Sequence, residues 1–211
     1  MTPEPVLRVD GLDFAYAARP LFSGFSAAFG AGLTWVRGPN GSGKSSLLKL
    51  IAGALRPAAG RLAVHGIEAA AAPRDYRREV FWCGPGALAF EHLRPAEFFG
   101  FMQGLYPRFD VRAVEAHVQG FGLQSHMGLR AAALSSGTQR KVWVAAALAA
   151  GAAVVLMDEP LDALDAASRT YLHGALGACA KDAARAWIVV SHESLGAEAD
   201  AHARVLDLSP Q

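Results

Sequence analysis

Gly38-Pro39-Asn40-Gly41-Ser42-Gly43-Lys44-Ser45 matches the pattern Gly-x-x-x-x-Gly-Lys-Ser/Thr. A chain of this composition meets that pattern by chance about three times in a thousand. The apolar stretch Leu33-Thr-Trp-Val36 precedes it and reads as a strand. After it, apolar residues recur at Leu47, Leu48, Leu50, Ile51 and Leu55, the spacing of a helix over 45–55. Strand, glycine-rich turn and helix together let backbone N–H groups curl around a phosphate, with the positive end of the helix adding to the attraction. Lys44 is one of four lysines, with Lys49, Lys141 and Lys181, so a lysine at this point carries information. It is expected to reach the β and γ phosphates of a nucleotide, and the Ser45 hydroxyl to bind Mg²⁺. Residues Gly38 to Gly43, with Lys44, Ser45 and Ser46, form the expected nucleotide-binding set.

Composition narrows the rest. The chain has 211 residues, 52% hydrophobic and 18% charged, which suits one globular domain with a real core. Twenty basic residues stand against nineteen acidic ones, a net charge of +1. That balance argues against a general nucleic-acid binder, which needs excess positive charge for phosphates. Cys83 and Cys179 lie far apart with no Cys-x-x-Cys, so neither a disulfide framework nor a zinc knuckle is expected. The first residues show no basic start followed by an apolar run, so no signal peptide is expected. The longest uncharged run, 142–157, is 16 residues and falls short of a membrane span. A soluble protein is expected, or one that docks on a membrane through a partner.

Along the chain, 6–9, 12–16 and 25–29 alternate apolar and polar positions as half-buried antiparallel strands do. A short strand at 61–65 follows the first helix. Residues 69–72 are an alanine run, read as a loop or helix start. Val80-Phe-Trp-Cys83, Val154-Val-Leu-Met157 and Trp187-Ile-Val-Val190 are buried strands, and 204–208 a last one. Helical spacing covers 95–122, broken near Tyr106-Pro107, and also 141–150 and 168–181. Strands alternating with helices imply an α/β fold with a mostly parallel sheet.

The strand at 154–157 ends in Asp158-Glu159-Pro160. A carboxylate there sits at the carboxyl edge of the sheet, beside the phosphate loop, where Asp158 can hold Mg²⁺ or its water. Glu159 can polarise an attacking water as general base. Many strands end in acids, so this pair gains its meaning from the glycine-rich loop.

Between these segments lies Leu134-Ser135-Ser136-Gly137-Thr138. The order of the glycine-rich loop, Leu-Ser-x-Gly, strand-Asp-Glu-Pro, Leu-Asp165 and Ser-His192 resembles the ATP-binding subunit of an ABC transporter over nearly the whole chain. The spacings agree: 21 residues from Gly137 to Asp158 and 34 from Asp158 to His192. The resemblance implies a P-loop NTPase core of RecA-like type, an N-terminal antiparallel β-subdomain and a helical subdomain inserted at about 87–150, all in one ABC ATPase domain over 1–211. It implies that Tyr16 stacks on adenine and that His192 touches the γ-phosphate. It further implies that two subunits, identical or related, pair head to tail. Each ATP is then gripped between one P-loop and the other subunit's Ser135, Ser136 and Gly137, with Asp165 in the loop that crosses the interface. Taken alone, the 135–137 segment is an ordinary helix N-cap and 161–165 a capped turn. A separate membrane subunit, no nucleic-acid partner, and a place on the cytoplasmic face of the inner membrane are implied as well.

The sequence departs from the family in two ways. Ser136 stands where a glycine is usual. After the strand at 80–83, Pro85 or Gly86 occupies the place of a glutamine that links Mg²⁺ to the transporter contact. These departures motivate one rival reading, an ATP-gated interaction module with weak hydrolysis. A second rival is a soluble ABC-type ATPase not coupled to transport, though the chain has no long coiled-coil insertion and no second cassette. The short length resembles haem-exporter subunits of cytochrome c maturation and small drug or bacteriocin exporter ATPases alike.

Overall fold

Five strands with apolar residues on both faces need cover on both sides. The computed structural model, which describes residues 4–17, 19–85 and 90–208, shows how that cover is provided. The antiparallel part comprises β1 (Leu7–Tyr16), β2 (Arg19–Phe29), β4 (Ala59–Val64) and β5 (Ile67–Glu68), in the order β2-β1-β4-β5. The second sheet comprises β3 (Gly32–Arg37), β6 (Val80–Cys83), β7 (Val154–Asp158), β8 (Ala186–Val190) and β9 (Arg204–Asp207), in the order β6-β7-β8-β3-β9. Every pairing in it is parallel. The mostly parallel α/β architecture with an N-terminal antiparallel sheet is as the sequence implied.

Among the described residues seven α-helices surround these sheets: α1 (Lys44–Ile51), α2 (Pro73–Arg78), α3 (Pro95–Leu105), α4 (Val111–Gly120), α5 (Ser136–Ala149), α6 (Ala166–Ala180) and α7 (Ala197–His202). Strand periodicity sorts the core into two clusters. Val155, Met157, Trp187 and Val189 pack with Phe98, Val142 and Leu172, from α3, α5 and α6. Their neighbours Val154, Leu156, Ile188 and Val190 pack with Leu47, Leu50 and Ile51 of α1 and with Leu7, Val9 and Leu12 of β1. The parallel sheet is thus the middle layer of three. Helices from the segment between β6 and β7 share one apolar cluster with the sheet. Residues 87–89, the first of the helical segment as delimited from sequence, lie outside the described residues.

Several boundaries differ from the sequence reading. Residues 7–16 are one strand rather than two, because register shifts between Val9 and Leu12 and again at Phe14 reset the alternation. α5 starts at Ser136 rather than 141, since Ser135 caps a polar first turn that has no apolar periodicity. α1 stops at Ile51. α2 and α7, of six residues each, are too short to leave a helical period in the sequence.

Register fixes where chemistry can collect. Val36 of β3 pairs with Val190 of β8, and Val190 pairs with Asp158 of β7. The three chains therefore leave the sheet side by side, and each carries a sequence motif just beyond its strand. The helix that follows β3 is anchored at its far end. The buried Tyr76 hydroxyl donates to the Ile51 carbonyl at 2.8 Å, one of the carbonyls a helix terminus leaves unpaired. Tyr76→Phe is expected to cost about 1–2 kcal/mol by orphaning that carbonyl. A thermal melt checks this, and an unchanged midpoint counts against the anchor.

Candidate functional site

The loop after β3 turns sharply at Gly38, whose φ is +149°. A Cβ there would lie 2.3 Å from the Leu208 carbonyl oxygen and 2.7 Å from Ser42 Oγ, so only glycine is accommodated. Gly43, in the left-handed region, leads into α1, whose first two residues are Lys44 and Ser45. The buried Lys44 ammonium donates to the Gly38 carbonyl at 2.7 Å and the Pro39 carbonyl at 3.0 Å. The lysine closes the loop on itself, a position from which it can turn toward an incoming anion. Ser42 Oγ is buried with no hydrogen-bond partner among the described residues.

Ser45 Oγ donates to Asp158 Oδ1 at 3.2 Å, which joins the start of α1 to the end of β7. Asp158 is 1% exposed, and its Oδ2 has no partner among the described residues. An orphaned carboxylate oxygen beside a serine hydroxyl, at the mouth of a phosphate cradle, suits a hard cation such as Mg²⁺. Burial raises the Asp158 carboxyl above its ordinary value, against the pull of the Ser45 hydrogen bond and the charges of Lys49, Arg140 and Lys44.

Glu159 follows with φ +47°, uncommon for a residue with a side chain, as strained backbone at functional sites often is. The Glu159 N–H donates to the Val190 carbonyl at 2.9 Å. Its carboxylate accepts the His192 backbone N–H at 3.2 Å and lies 3.3 Å from His192 Nε2. Burial raises this carboxyl too, opposed by the His192 contacts. A partly dehydrated glutamate beside an imidazole has the chemistry of a proton acceptor.

Tyr16 is 48% exposed. Its hydroxyl shares a 3.3 Å hydrogen bond with Ser46 Oγ, and its ring stands edge-on to Phe14 at 4.8 Å. A cleft of about 690 Å³ joins Tyr16, Asn40, Gly41, Gly43, Lys44, Ser45, Ser46, Glu159 and His192. Arg19, Leu21, Asp162 and Glu193 also line it, and the sequence reading missed them. Arg19 comes to the cleft because it pairs with Tyr16 in the β1–β2 ladder.

The other expected site residues stand apart. Ser135, Ser136, Gly137 and Asp165 do not line this cleft. Ser135 caps α5, its Oγ accepting the Thr138 N–H at 3.1 Å. Ser136 begins that helix. A Cβ on Gly137 would sit 2.5 Å from the Ala163 carbonyl oxygen, so this glycine lets the 161–165 turn approach α5. Asp165 caps α6 through the Ser168 N–H at 2.9 Å and accepts Lys141 Nζ at 2.5 Å. Within one chain, therefore, Ser135 and Asp165 do the capping that the bland reading assigned. Pro85 lies in a bend, whereas Gly86, the other position at which the glutamine is missing, lies outside the described residues.

Comparison with known proteins agrees with this geometry. Residues 28–162 match the ABC transporter family. A cytochrome c biogenesis ATP-binding export protein, CcmA, of Cupriavidus pinatubonensis is 33% identical over 198 residues, 90% of this chain and 85% of its own. Its counterpart in Alkalilimnicola ehrlichii is 35% identical over 195 residues, 90% of this chain and 82% of its own. A solved structure described as the ATP binding subunit of an ABC transporter shares the fold. Its TM-score is 0.85 at 22% identity, covering 97% of this chain and 88% of that one.

The raised Asp158 carboxyl sets a stability prediction. A carboxyl whose pKa is higher in the folded than in the unfolded chain destabilises the fold once pH exceeds both values. Asp158→Asn is expected to raise the melting temperature of the ligand-free protein near neutral pH, with the gain shrinking as pH falls toward the carboxylate range. Calorimetry over a pH series measures it; a lower melting temperature at neutral pH would contradict the buried-charge account.

Proposed function

Because the chain belongs to the ABC transporter family of ATP-binding proteins, whose ATPases are coupled to transport, we propose that it is the ATP-hydrolysing subunit of an exporter serving cytochrome c biogenesis. The observation that carries this reading is the single cleft joining Tyr16, Lys44, Ser45, Glu159 and His192.

The exposed Tyr16 ring takes the adenine. The backbone from Gly38 to Gly43 and the ammonium of Lys44 take the phosphates, with Ser46 beside them. Ser45 and Asp158 would hold Mg²⁺, which screens phosphate charge when bound. Glu159 accepts the proton of the attacking water, helped by a carboxyl that burial has moved toward the working pH. His192 orients that carboxylate and lies within reach of the terminal phosphate.

Two copies, or this chain and a related one, pair so that the 135–137 turn of each closes the cleft of the other. Support comes from the lining of the cleft, which includes Lys44 and His192 but, among the described residues, not that turn of the same chain. Asp165 holds the 161–165 turn against α5 on the face that meets the second copy. The chain forms one ATPase domain, with its helical subdomain reaching a separate membrane subunit at the cytoplasmic face of the inner membrane. None of the described helices is long and apolar enough to cross a membrane.

Glu159→Gln is expected to retain MgATP binding, lower turnover by about 10²–10⁴-fold, and accumulate an ATP-bound dimer. Light scattering and an ATPase assay read these out, with Lys44→Ala as the variant that loses nucleotide. The wild-type rate falls with pH as Glu159 protonates, and its raised carboxyl places that limb higher than an ordinary glutamate would. Wild-type turnover by Glu159→Gln excludes Glu159 as the base.

A further inference from the structure

Among the described residues only two basic residues are buried, Lys44 and Arg140, and one acidic residue, Asp158. Lys44 and Asp158 already belong to the nucleotide site. Arg140 does not line the cleft, yet it is 6% exposed and lies in the second turn of α5. A buried guanidinium is costly unless its surroundings answer it. Here the answer comes from the ends of two neighbouring strands. Arg140 Nη1 donates to the Gly84 carbonyl at 2.8 Å, just beyond β6. Its charge also bears on Cys83, the last residue of β6, and on Asp158, the last of β7. Cys83 is in register with Met157, so these groups form one patch at the carboxyl edge of the sheet.

The same stretch of α5 is held on another side. Lys141, the next residue, pairs with Asp165, and Gly137 admits the Ala163 carbonyl. The 135–137 turn is therefore tied to the 161–165 turn by Lys141 and to the metal-side strands by Arg140. The Arg140 tie reaches the backbone immediately before Pro85, a residue with no N–H and no side-chain amide to donate. A long, permanently charged donor does this as a neutral side chain cannot.

We propose that Arg140 is a positioning residue for ATP hydrolysis: by bonding α5 to the end of β6 beside Asp158, it fixes where the 135–137 turn stands relative to the metal-side carboxylate. This rests on the proposed ATPase reading. In that reading the turn completes the partner copy's site, so Arg140 affects turnover and not the first binding of ATP to its own chain.

The test compares Arg140→Met, Arg140→Gln and Arg140→Lys with the wild type, measuring ATP affinity by calorimetry and kcat and KM by steady-state assay. Arg140→Met is expected to keep ATP affinity and KM within about threefold while kcat falls at least about tenfold. Arg140→Lys, which retains charge and a donor, recovers most of that loss, and Arg140→Gln recovers less. Should Arg140→Met fail to fold, the ranking of Lys above Gln in kcat carries the test. An unchanged kcat in Arg140→Met, or in Arg140→Gln, overturns the inference while leaving the ATPase reading intact. Parallel loss of affinity and kcat also overturns it, since Arg140 would then merely hold the fold. A wild type that binds no ATP overturns the ATPase reading and this inference together.

Discussion

The contact between Ser45 and Asp158 joins two segments 113 positions apart in the chain, and the rest of the site is arranged around it. One partner is the second residue of a helix that a glycine loop has just released. The other is a carboxylate at the end of a strand buried on both faces. For them to meet, β3 and β7 must end level with each other across β8, and the parallel register achieves this. The loop, the acidic pair and the histidine then emerge together without further adjustment.

Several energetic costs of the fold lie at that edge. Among the described residues Asp158 Oδ2 and Ser42 Oγ are buried without a hydrogen-bond partner, and Glu159 holds a left-handed backbone. Each is unfavourable in isolation. Two apolar clusters, one on each side of the parallel sheet, supply the stability that tolerates them. In the proposed ATPase reading an anion and a hard cation would supply the partners these side chains lack, so local instability and binding chemistry would share one origin.

The start of α5 is a meeting point of a different kind. Its capping serine, its close-packed glycine and its two basic residues connect the 161–165 turn with the ends of β6 and β7. Among the described residues none of these groups lines the cleft. Their importance lies in geometry passed between segments, which is why the 135–137 turn reads as a plain N-cap when it is considered alone.

The sequence by itself determined whatever is encoded contiguously. The loop from Gly38 to Ser45, the apolar strand ending in Asp158 and Glu159, and the strand before His192 are local patterns whose chemistry depends on adjacent residues. The α/β class followed from strands and helices in alternation. Short elements escaped because six-residue helices show no period, and the register shift after Val9 disguised one strand as two. Tertiary structure alone decided that Arg19, Leu21, Asp162 and Glu193 line the cleft, and that Lys141 meets Asp165. It also decided that Arg140, which by composition is one more surface arginine, is buried under two strand ends. The physical reason is that burial and pairing depend on which segments the sheet register brings side by side, and no local pattern in the chain carries that information.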